Sequence, residues 1–457
     1  MQRFIVLIVS ALIPAFAAAA VSYQVSFVAS DLYQGSTRIG SFSSDAECVE
    51  AAKGRTVSTT TTFECRARTT VVATVTSGLP TDTDGDGVVD TDDQCPKEAG
   101  PSPSGCPPVY TATKFVSPSG GATSCTQNDP CSLQRAADTA QAGDVVSVAA
   151  GRYGTVTISR SGTLTKPIEF RSNGAVIENA SGYGIYLKRV SYVTLDGFTV
   201  QNTKLKGIAA RDASPTSPVR GLVIRNCVIR NIRQEGMYLS EVADSLIEGN
   251  TITNVGLDNV ETTGHGIYLA NAGSDGTTIR RNIIMIGTSP GAALHINGDL
   301  STGGDGIISR VTIDSNILQG GIKGVSGDGV QDSRIVNNLI YGQRQHGIRL
   351  YREDGAAGAK GFVIINNTIQ APNAALKATN EVGSSIVFNN ILADGKEPSI
   401  ITGQLSSNLK TFAVTTSYAP TSAAKDKGVA SFGGQNAPTT DISGAARSTP
   451  VSIGAFE

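Results

Sequence analysis

Two short patterns recur through the second half of this chain, and they restrict its fold more than any other feature. The first begins with Gly or Ala and alternates apolar and variable residues over four positions. Its copies are GIYL (184–187), GIAA (207–210), GMYL (236–239), GIYL (266–269), ALHI (293–296), GVSG (324–327), GIRL (347–350) and ALKA (375–378). The copies start 23 to 31 residues apart, a spacing typical of solenoid coils with loops of variable length. The chain is therefore predicted to be a repeat array.

The second pattern, I-x-x-N-x-I, places an asparagine at one fixed position of the coil. Apolar residues alternate in both patterns, which predicts short strands with one buried face and turns at Gly or Asn. Strand-length runs rich in Ile, Val and Thr disfavour a helical solenoid. Each Asn amide can bond its neighbours in the next coil and close a tight bend. The positions are Asn250, Asn282, Asn316, Asn338, Asn367 and Asn390, with Phe198 and Cys227 at the same place in two earlier coils.

These repeats resemble the right-handed parallel β-helix proteins of the pectate-lyase-like architecture, over about residues 110–457. The resemblance implies an all-β fold, a right-handed parallel β-helix solenoid, in a domain that spans 109–457. The segments FVSPSGG (115–121) and GDVVSVAAGRYG (143–154) look like the start of many secreted β-helix proteins. Between them, CSLQRAADTAQAG is expected to cap one end of the solenoid, where a sheet edge would otherwise be exposed. The closing DISGAARSTPVSIGAFE is expected to act as a second cap.

The beginning of the chain predicts export. Arg3, the apolar run 5–16 and the small residues AFAAAA (15–20) indicate a signal peptide over 1–20, too short to stay as a membrane span. No later segment is apolar enough to cross a bilayer. The protein is expected to be secreted, extracellular or periplasmic and surface-associated, not transmembrane, and monomeric. The formal net charge of −2 gives no indication of nucleic-acid binding.

Residues 21–78 are predicted to form a small α+β accessory domain, with a strand in VSYQVSFVA, a helix in SDAECVEAAK and a strand in TTFECRARTTVVATV. A core this small needs a disulfide. The chain has seven Cys, and exported proteins form disulfides. With the connectivity left open, sequence proximity proposes the pairs Cys48–Cys65, Cys95–Cys106 and Cys125–Cys131. Cys227 is then expected to be a buried apolar residue of the β-coil.

The segment DTDGDGVVDTDD (82–93) has the spacing of a calcium-binding loop. Five Asp occupy positions 1, 3, 5, 9 and 12, and Gly87 at position 6 allows the tight turn. The stretch through DQCP and the later GCP resembles the thrombospondin type 3 repeats, so 79–108 is expected to be a stiffened linker that binds Ca²⁺. The alternative is a solvated acidic linker. The expected ligands are Asp82, Asp84, Asp86, the carbonyl of Val88, Asp90 and Asp93.

Two columns of side chains are predicted on the outward face of the first-pattern strands. The third residue of each copy points outward, and stacked coils place successive members about 4.8 Å apart. Tyrosine rings can stack on sugar rings and Arg can bind a carboxylate bidentately. We therefore expect an acidic polysaccharide or a cell-surface glycan as the partner. The first column holds Tyr238, Tyr268, His295, Arg349 and Lys377, and the second holds Asn297, Asp328 and Tyr351, with Arg352 in the loop that follows.

The motifs GHGIYL, HINGDLSTGGDGIIS, GDGVQDSRI and HGIRLYREDG resemble a group of bacterial secreted β-helix proteins without a firmly assigned reaction. The GHG element (264–266) is shared with the galacturonan hydrolases of this fold, but the neighbouring coils lack their NTD, paired-Asp and RIK elements. The D-P-H-D of the alginate epimerases and the RxPxxR of one pectate-lyase family are also absent. A lyase-type site remains, in which a base removes the proton beside a uronate carboxylate that a cation neutralises. His295, Tyr268, Arg349 or Lys377 could be the base, and Asp328 could orient His295 or share a calcium ion with Asp299 and Asp305.

Two functions stay open from the sequence. The first is a secreted lyase-type enzyme acting on a uronate polysaccharide, with His295, Tyr268, Asp328 and Arg349 as catalytic residues. Its expected substrate-binding residues are Tyr238, Asn297, Tyr351, Arg352 and Lys377. The second is a non-catalytic glycan-binding or adhesion protein that uses the same face. His265 and His346 precede the strand glycine, where they could stabilise a turn or take part in the site.

Overall fold

The computed structural model describes residues 30–34, 37–42, 63–67, 111–260, 263–379, 383–393, 403–410 and 420–457. The chain divides into two compact units, Met1–Val109 and Tyr110–Glu457. The described residues of the first unit form an antiparallel sheet of the strands Ser30–Gln34, Thr37–Phe42 and Phe63–Ala67, with Ser30–Gln34 in the centre. Only Phe63–Ala67 lies in a segment that the sequence predicted to be a strand.

Several predictions concern residues outside the described ranges. These are the signal peptide, the strand at 21–29, the helix around Cys48, and the whole calcium loop with Asp82, Asp84, Asp86, Val88, Asp90 and Asp93. Of the proposed disulfide partners, Cys48, Cys95 and Cys106 also lie outside them, which leaves the pairing of Cys65 a prediction. The disulfide Cys125–Cys131 is confirmed. Cys227 is confirmed as a fully buried free cysteine, and burial raises the pKa of its thiol to about 12.

The second unit confirms the predicted right-handed parallel β-helix, a solenoid of about 9 turns. Each turn adds one strand to each of three parallel sheets, which we call sheets I, II and III in the order in which a coil passes through them. Within the described residues, sheet I has nine strands: Val156–Ile158, Ile185–Lys188, Ile208–Arg211, Met237–Ser240, Ile267–Ala270, Ala292–Asn297, Lys323–Asp328, His346–Tyr351 and Ala374–Ala378.

Sheets II and III complete the coil. In the described part of the chain, sheet II has twelve strands: Lys114–Val116, Val145–Val148, Ile168–Ser172, Val193–Asp196, Val223–Arg225, Leu246–Glu248, Thr278–Arg280, Thr312–Asp314, Arg334–Val336, Val363–Ile365, Ser385–Phe388 and Gly403–Ser406. Sheet III, counted over the same residues, has ten: Gly151–Tyr153, Ala175–Glu178, Thr199–Gln201, Val228–Ile232, Thr251–Val255, Ile283–Met285, Ile317–Gln319, Leu339–Tyr341, Thr368–Ile369 and Ile391–Leu392. Three short strand pairs lie outside these sheets: Val219–Arg220 with Val242–Ala243, Ile308–Ser309 with Val330–Gln331, and Ser431–Phe432 with Gln435–Asn436.

The glycine of the first pattern is required by the approach of the next coil. A Cβ on Gly207 would lie 2.6 Å from the carbonyl oxygen of Gly236 and 2.8 Å from Cγ2 of Ile229. The two apolar residues that follow, such as Ile208 and Ala210, are completely buried in the core. The glycine of the pattern therefore marks the tight bend into sheet I, and its apolar residues mark the inward face of the strand.

The asparagine ladder lies at the bend between sheets II and III. Asn282, Asn316 and Asn338 have no exposed surface or almost none, and each amide bonds the next coil. The residue before a ladder position adopts the left-handed conformation, as at Ser315 with φ 56°, which turns the chain sharply while the Asn satisfies buried backbone groups. The structure extends the ladder by one position beyond those predicted, because Asn408 accepts hydrogen bonds from Asn390.

The segment between the first strands of sheet II contains helix α1, Leu133–Thr139, which Ser132 caps by accepting from the amide of Arg135. The side chain of Gln134 forms two hydrogen bonds of 2.9 Å with the backbone of Thr157, in the edge strand of sheet I. The helix therefore satisfies backbone groups of that edge.

The C-terminal segment lies along the flank of the last coils. Its Phe432 packs with the outward side chains of sheet II, among them Phe388. The buried Arg447 bonds Asn337 at 2.9 Å and pairs with Glu457 at 3.1 Å. Among the helical residues that the structure describes, none forms a helix with the length and apolar character needed to cross a membrane.

Candidate functional site

The strands of sheet I pair in the predicted register. Tyr238 lies beside Tyr268, and Tyr268 beside His295. Ser326 separates His295 from Arg349, which is followed by Lys377. In the second column, Asn297 lies beside Asp328, and Asp328 beside Tyr351. The structure therefore places eight of the nine predicted catalytic and substrate-binding residues on one sheet, with Arg352 directly after its strand.

Four rings form a cluster at the centre of this sheet. Tyr268 stacks on His295, with ring centroids 4.5 Å apart and planes at 15°. Tyr238 meets Tyr268 edge-to-face at 5.3 Å. The fourth ring is His265, whose centroid is 4.4 Å from that of His295 and 5.1 Å from that of Tyr268. We call Tyr238, Tyr268, His265 and His295 the ring cluster.

The two histidines of the ring cluster are hydrogen-bonded to each other, Nδ1 of His295 lying 3.1 Å from Nε2 of His265. Nδ1 of His265 accepts from the backbone amide of Ala292 at 3.0 Å. Burial, and next the charge of Lys323, lower the pKa of His265 from 6.5 to about 3. Burial likewise holds the pKa of His295 well below its ordinary value. Although the His295 ring is half-buried, its Nε2 has no exposed surface and no hydrogen-bond partner among the described residues.

The second column was expected to face solvent, and this expectation is wrong. Asn297, Asp328 and Tyr351 are 4%, 1% and 5% exposed. The loop that follows Tyr351 folds over the neighbouring strands and bonds Asn297 and Asp328. Asn297 donates to Asp354 and to the hydroxyl of Tyr268, both at 3.2 Å.

Asp328 carries the most unusual carboxyl group of the sheet. Its Oδ1 accepts from the backbone amide of Glu353 at 2.7 Å. Its Oδ2 is buried without a partner in the described part of the chain, as is Oδ1 of Asn297. Burial raises the pKa of Asp328 from 3.8 to about 7, to which the nearby carboxylates of Asp354 and Glu353 add. Such groups are uncommon in protein interiors, where polar atoms are normally paired, and they often mark functional sites.

Two cationic groups lie beside the ring of Tyr351, the neighbour of Asp328 in the second column. The Arg349 guanidinium lies 5.3 Å from the centre of the Tyr351 ring, and Nζ of Lys323 lies 4.9 Å from it. The Tyr351 hydroxyl is 3.0 Å from that of Ser326. Lys377 is half-buried one coil beyond Arg349, whereas Arg352 is exposed and its Nε donates to the carbonyl of Ala356 in its own loop.

A third column, formed by the residue that precedes the strand glycine, was not predicted from the sequence. It contains His265 and His346, for which a role in the site was left open, together with Lys323, Lys206 and Glu235. Lys206 pairs with Glu235 at 3.4 Å and lies 5.4 Å from the Tyr238 ring. These residues lie at the start of a sheet I strand or just before it, where period-two alternation does not predict the direction of a side chain. Their shared position before the glycine was the signal that could have grouped them.

No described residues form a group of three or more His, Cys, Asp or Glu arranged to hold a metal ion. The calcium ion that Asp328 could share with Asp299 and Asp305 stays a prediction. In the structure Oδ1 of Asp299 accepts from the amide of Ser301, and Oδ1 of Asp305 from that of Ile307.

Comparison with known proteins agrees with the fold. A family model described as a right handed beta helix region matches residues 169–303. The crystal structure of pectate lyase Pel9A has a TM-score of 0.53 at 13% identity, covering 76% of this chain and 97% of that one. At this identity the likeness establishes the fold alone.

Two further structures are similar with TM-scores below 0.5, which carry no argument about function. An alginate lyase from Paenibacillus sp. str. FPU-7 gives 0.44 at 20% identity, covering 65% of this chain and 100% of its own. The Streptococcus pneumoniae surface protein and adhesin PfbA gives 0.40 at 11%, covering 58% and 80%. A search of curated proteins gave no significant match. The chain thus contains a right handed beta helix region and folds as a parallel β-solenoid similar to that of pectate lyase Pel9A.

Proposed function

We propose that this protein is a secreted lyase-type enzyme that cleaves an acidic, uronate-containing polysaccharide bound along the outward face of sheet I. The observation that carries the proposal is the buried Asp328 carboxyl, whose Oδ2 lacks a partner and whose pKa is raised to about 7. A general base is most effective when its pKa lies near the working pH. A purely structural face would have no reason to retain such a group, because an unpaired buried polar atom costs about 1–3 kcal/mol.

The surrounding residues fit an elimination at a uronate. Asp328 accepts the proton from the carbon beside the sugar carboxylate, and Lys323 and Arg349 neutralise that carboxylate and so make the proton more acidic. The electron pair forms a carbon–carbon double bond and expels the glycosidic oxygen, which takes up a proton. Burial raises the pKa of Tyr268, so its hydroxyl stays protonated and can donate to the leaving oxygen.

The length of the basic and aromatic surface supports a polymeric substrate. Arg211 lies 5.4 Å from the Tyr238 ring and donates to the hydroxyl of Tyr183 at 2.9 Å. The ring of Tyr186 lies 5.2 Å from that of Tyr183, four coils before His295 on the same sheet. Rings and cations therefore continue over several coils, at about 4.8 Å per coil, which suits successive sugars of an acidic chain.

The proposal is tested by incubating the full-length protein with polygalacturonate, alginate and other uronate polymers while the ultraviolet absorbance of unsaturated products is followed. Asp328→Asn should lower the rate by about a hundredfold or more, as expected for loss of an acid–base group. The control is Asp129→Asn, at an exposed aspartate in the segment before helix α1, and its rate should match that of the wild type. Equal rates for Asp328→Asn and wild type would refute the assignment of the base.

The second candidate is a glycan-binding or adhesion protein without catalysis. It is favoured by the ring cluster itself, in which stacked rings and hydrogen bonds are already fixed, an arrangement suited to holding a sugar. In that case the polymers bind, no unsaturated product appears, and Tyr268→Ala weakens binding whereas Asp328→Asn does not.

A further inference from the structure

The hydrogen bonds of the ring cluster determine where its protons lie. The series of hydrogen bonds that leads into the cluster starts at the backbone amide of Ala292, which donates to Nδ1 of His265. A backbone N–H can only donate, so this nitrogen of His265 must be the unprotonated one. The ring of His265 is consequently neutral, with its proton on Nε2.

The proton of the second ring, His295, is fixed in the same way. Nε2–H of His265 lies 3.1 Å from Nδ1 of His295 and donates to it. His295 must therefore keep Nδ1 unprotonated and carry its own proton on Nε2. Protonating either ring would place two N–H groups opposite each other. The charge of Lys323, which lies near both rings, also keeps them neutral because it disfavours an imidazolium.

The chain of donors ends at an unsatisfied group. Nε2 of His295 is excluded from solvent and has no partner among the described residues. The stack with Tyr268 at 4.5 Å fixes the plane of the ring and therefore the direction of this N–H. An unpaired buried donor is costly, and a bound oxygen acceptor would remove that cost.

We propose that His265 is a positioning residue that holds His295 as a neutral imidazole, so that Nε2–H of His295 donates a hydrogen bond to an oxygen of the bound sugar instead of accepting a proton. The nature of the ligand oxygen rests on the proposed function, whereas the protonation pattern of the two rings does not. His295 is thereby removed from the candidate bases. It acts as a fixed hydrogen-bond donor, whereas Asp328 acts as the proton acceptor.

The test uses nitrogen NMR of the full-length protein labelled with ¹⁵N-histidine, which is practical because the chain has only three His. Two-bond proton–nitrogen correlations distinguish the Nδ1–H, Nε2–H and doubly protonated forms. We expect His265 and His295 both to be Nε2–H forms, unchanged from pH 8 to pH 5.5. An Nδ1–H form of His295, or an imidazolium at His295 above pH 5.5, would overturn the proposal.

Two variants isolate the part played by His265. His265→Gln retains an N–H group able to donate to His295, so His295 should remain in the Nε2–H form. His265→Phe removes the donor but keeps the ring buried, so His295 should show both neutral forms while its pKa stays below the ordinary value. If His295 in a folded His265→Phe protein behaves as in the wild type, His265 has no positioning role. Should His265→Phe fail to fold, the wild-type spectrum still decides the protonation pattern.

A final titration separates this inference from the proposed function. Addition of oligogalacturonate or oligoalginate should shift Nε2 of His295 and leave Nδ1 of His265 unchanged. If the protonation pattern is as expected but neither oligomer shifts Nε2, the donor role toward a uronate sugar is refuted and the positioning role of His265 stands. If an oligomer binds while His295 is an Nδ1–H form, the proposed function stands and the positioning role is refuted.

Discussion

Replacing Asn316 with alanine should destabilise the solenoid more than any change of equal size on its surface. The side chain is completely buried. Its Oδ1 accepts from the backbone and side-chain nitrogens of Asn282, each at 3.0 Å. Its Nδ2 donates to the carbonyl of Ile279 at 2.9 Å and to Oδ1 of Asn338 at 3.0 Å.

The magnitude follows from these four hydrogen bonds. Each hydrogen bond contributes about 1 kcal/mol net to the free energy of unfolding, so the four together contribute about 4 kcal/mol. One of the four is the bond from the backbone amide of Asn282, which loses its side-chain acceptor in the variant. The other groups are less affected, since Nδ2 of Asn282 keeps the carbonyl of Ile247 and Oδ1 of Asn338 keeps the amide of Asn316. With the usual unfolding entropy per residue, a domain of this size should lose about 5 °C of melting temperature.

The assay is thermal and denaturant unfolding followed by far-ultraviolet circular dichroism. Asn173→Ala is the control, because this Asn is exposed and its side chain makes a single hydrogen bond among the described residues, to the hydroxyl of Ser147. It should cost less than about 1 kcal/mol. Equal midpoints for the two variants would refute the reasoning, since the ladder would then contribute no more than a surface amide.

Three further outcomes are expected. Because the folded-state pKa of Asp328 is raised from 3.8 to about 7, the fold favours its neutral form, and the penalty grows from pH 4 to pH 7 and then stays constant. Asp328→Asn should therefore stabilise the protein by about 2–4 kcal/mol at pH 8 and hardly at all near pH 4, and a difference independent of pH in unfolding experiments would contradict this. Arg349→Ala should weaken uronate-polymer binding about tenfold through loss of a charged hydrogen bond, whereas Arg152→Ala on sheet III should not, and equal dissociation constants would remove Arg349 from the site. Calorimetric titration of the full chain with millimolar Ca²⁺ should give heat that the double change Asp84→Asn and Asp86→Asn abolishes, and no heat from the wild type would exclude the calcium loop.

The sequence by itself determined the solenoid and the order of its coils. The glycine and alternating apolar residues of the first pattern are local requirements, set by a close backbone approach and by an inward face. The asparagines identify the bend between sheets II and III, and counting from them gives the register. Because parallel coils stack without offset, that register alone placed Tyr268, His295, Ser326 and Arg349 side by side.

Only the tertiary structure decided the chemistry of the site. The loops that bury Asn297 and Asp328 follow no periodic pattern, so their return over the strands could not be predicted from alternation. The direction of His265 and Lys323 depends on the bend into sheet I, which period-two reasoning does not describe. Burial between coils then determines the protonation of these groups, which no local sequence pattern predicts. A carboxyl with a raised pKa and a histidine pair locked by one backbone amide arise from contacts between residues of different coils, at least 25 positions apart.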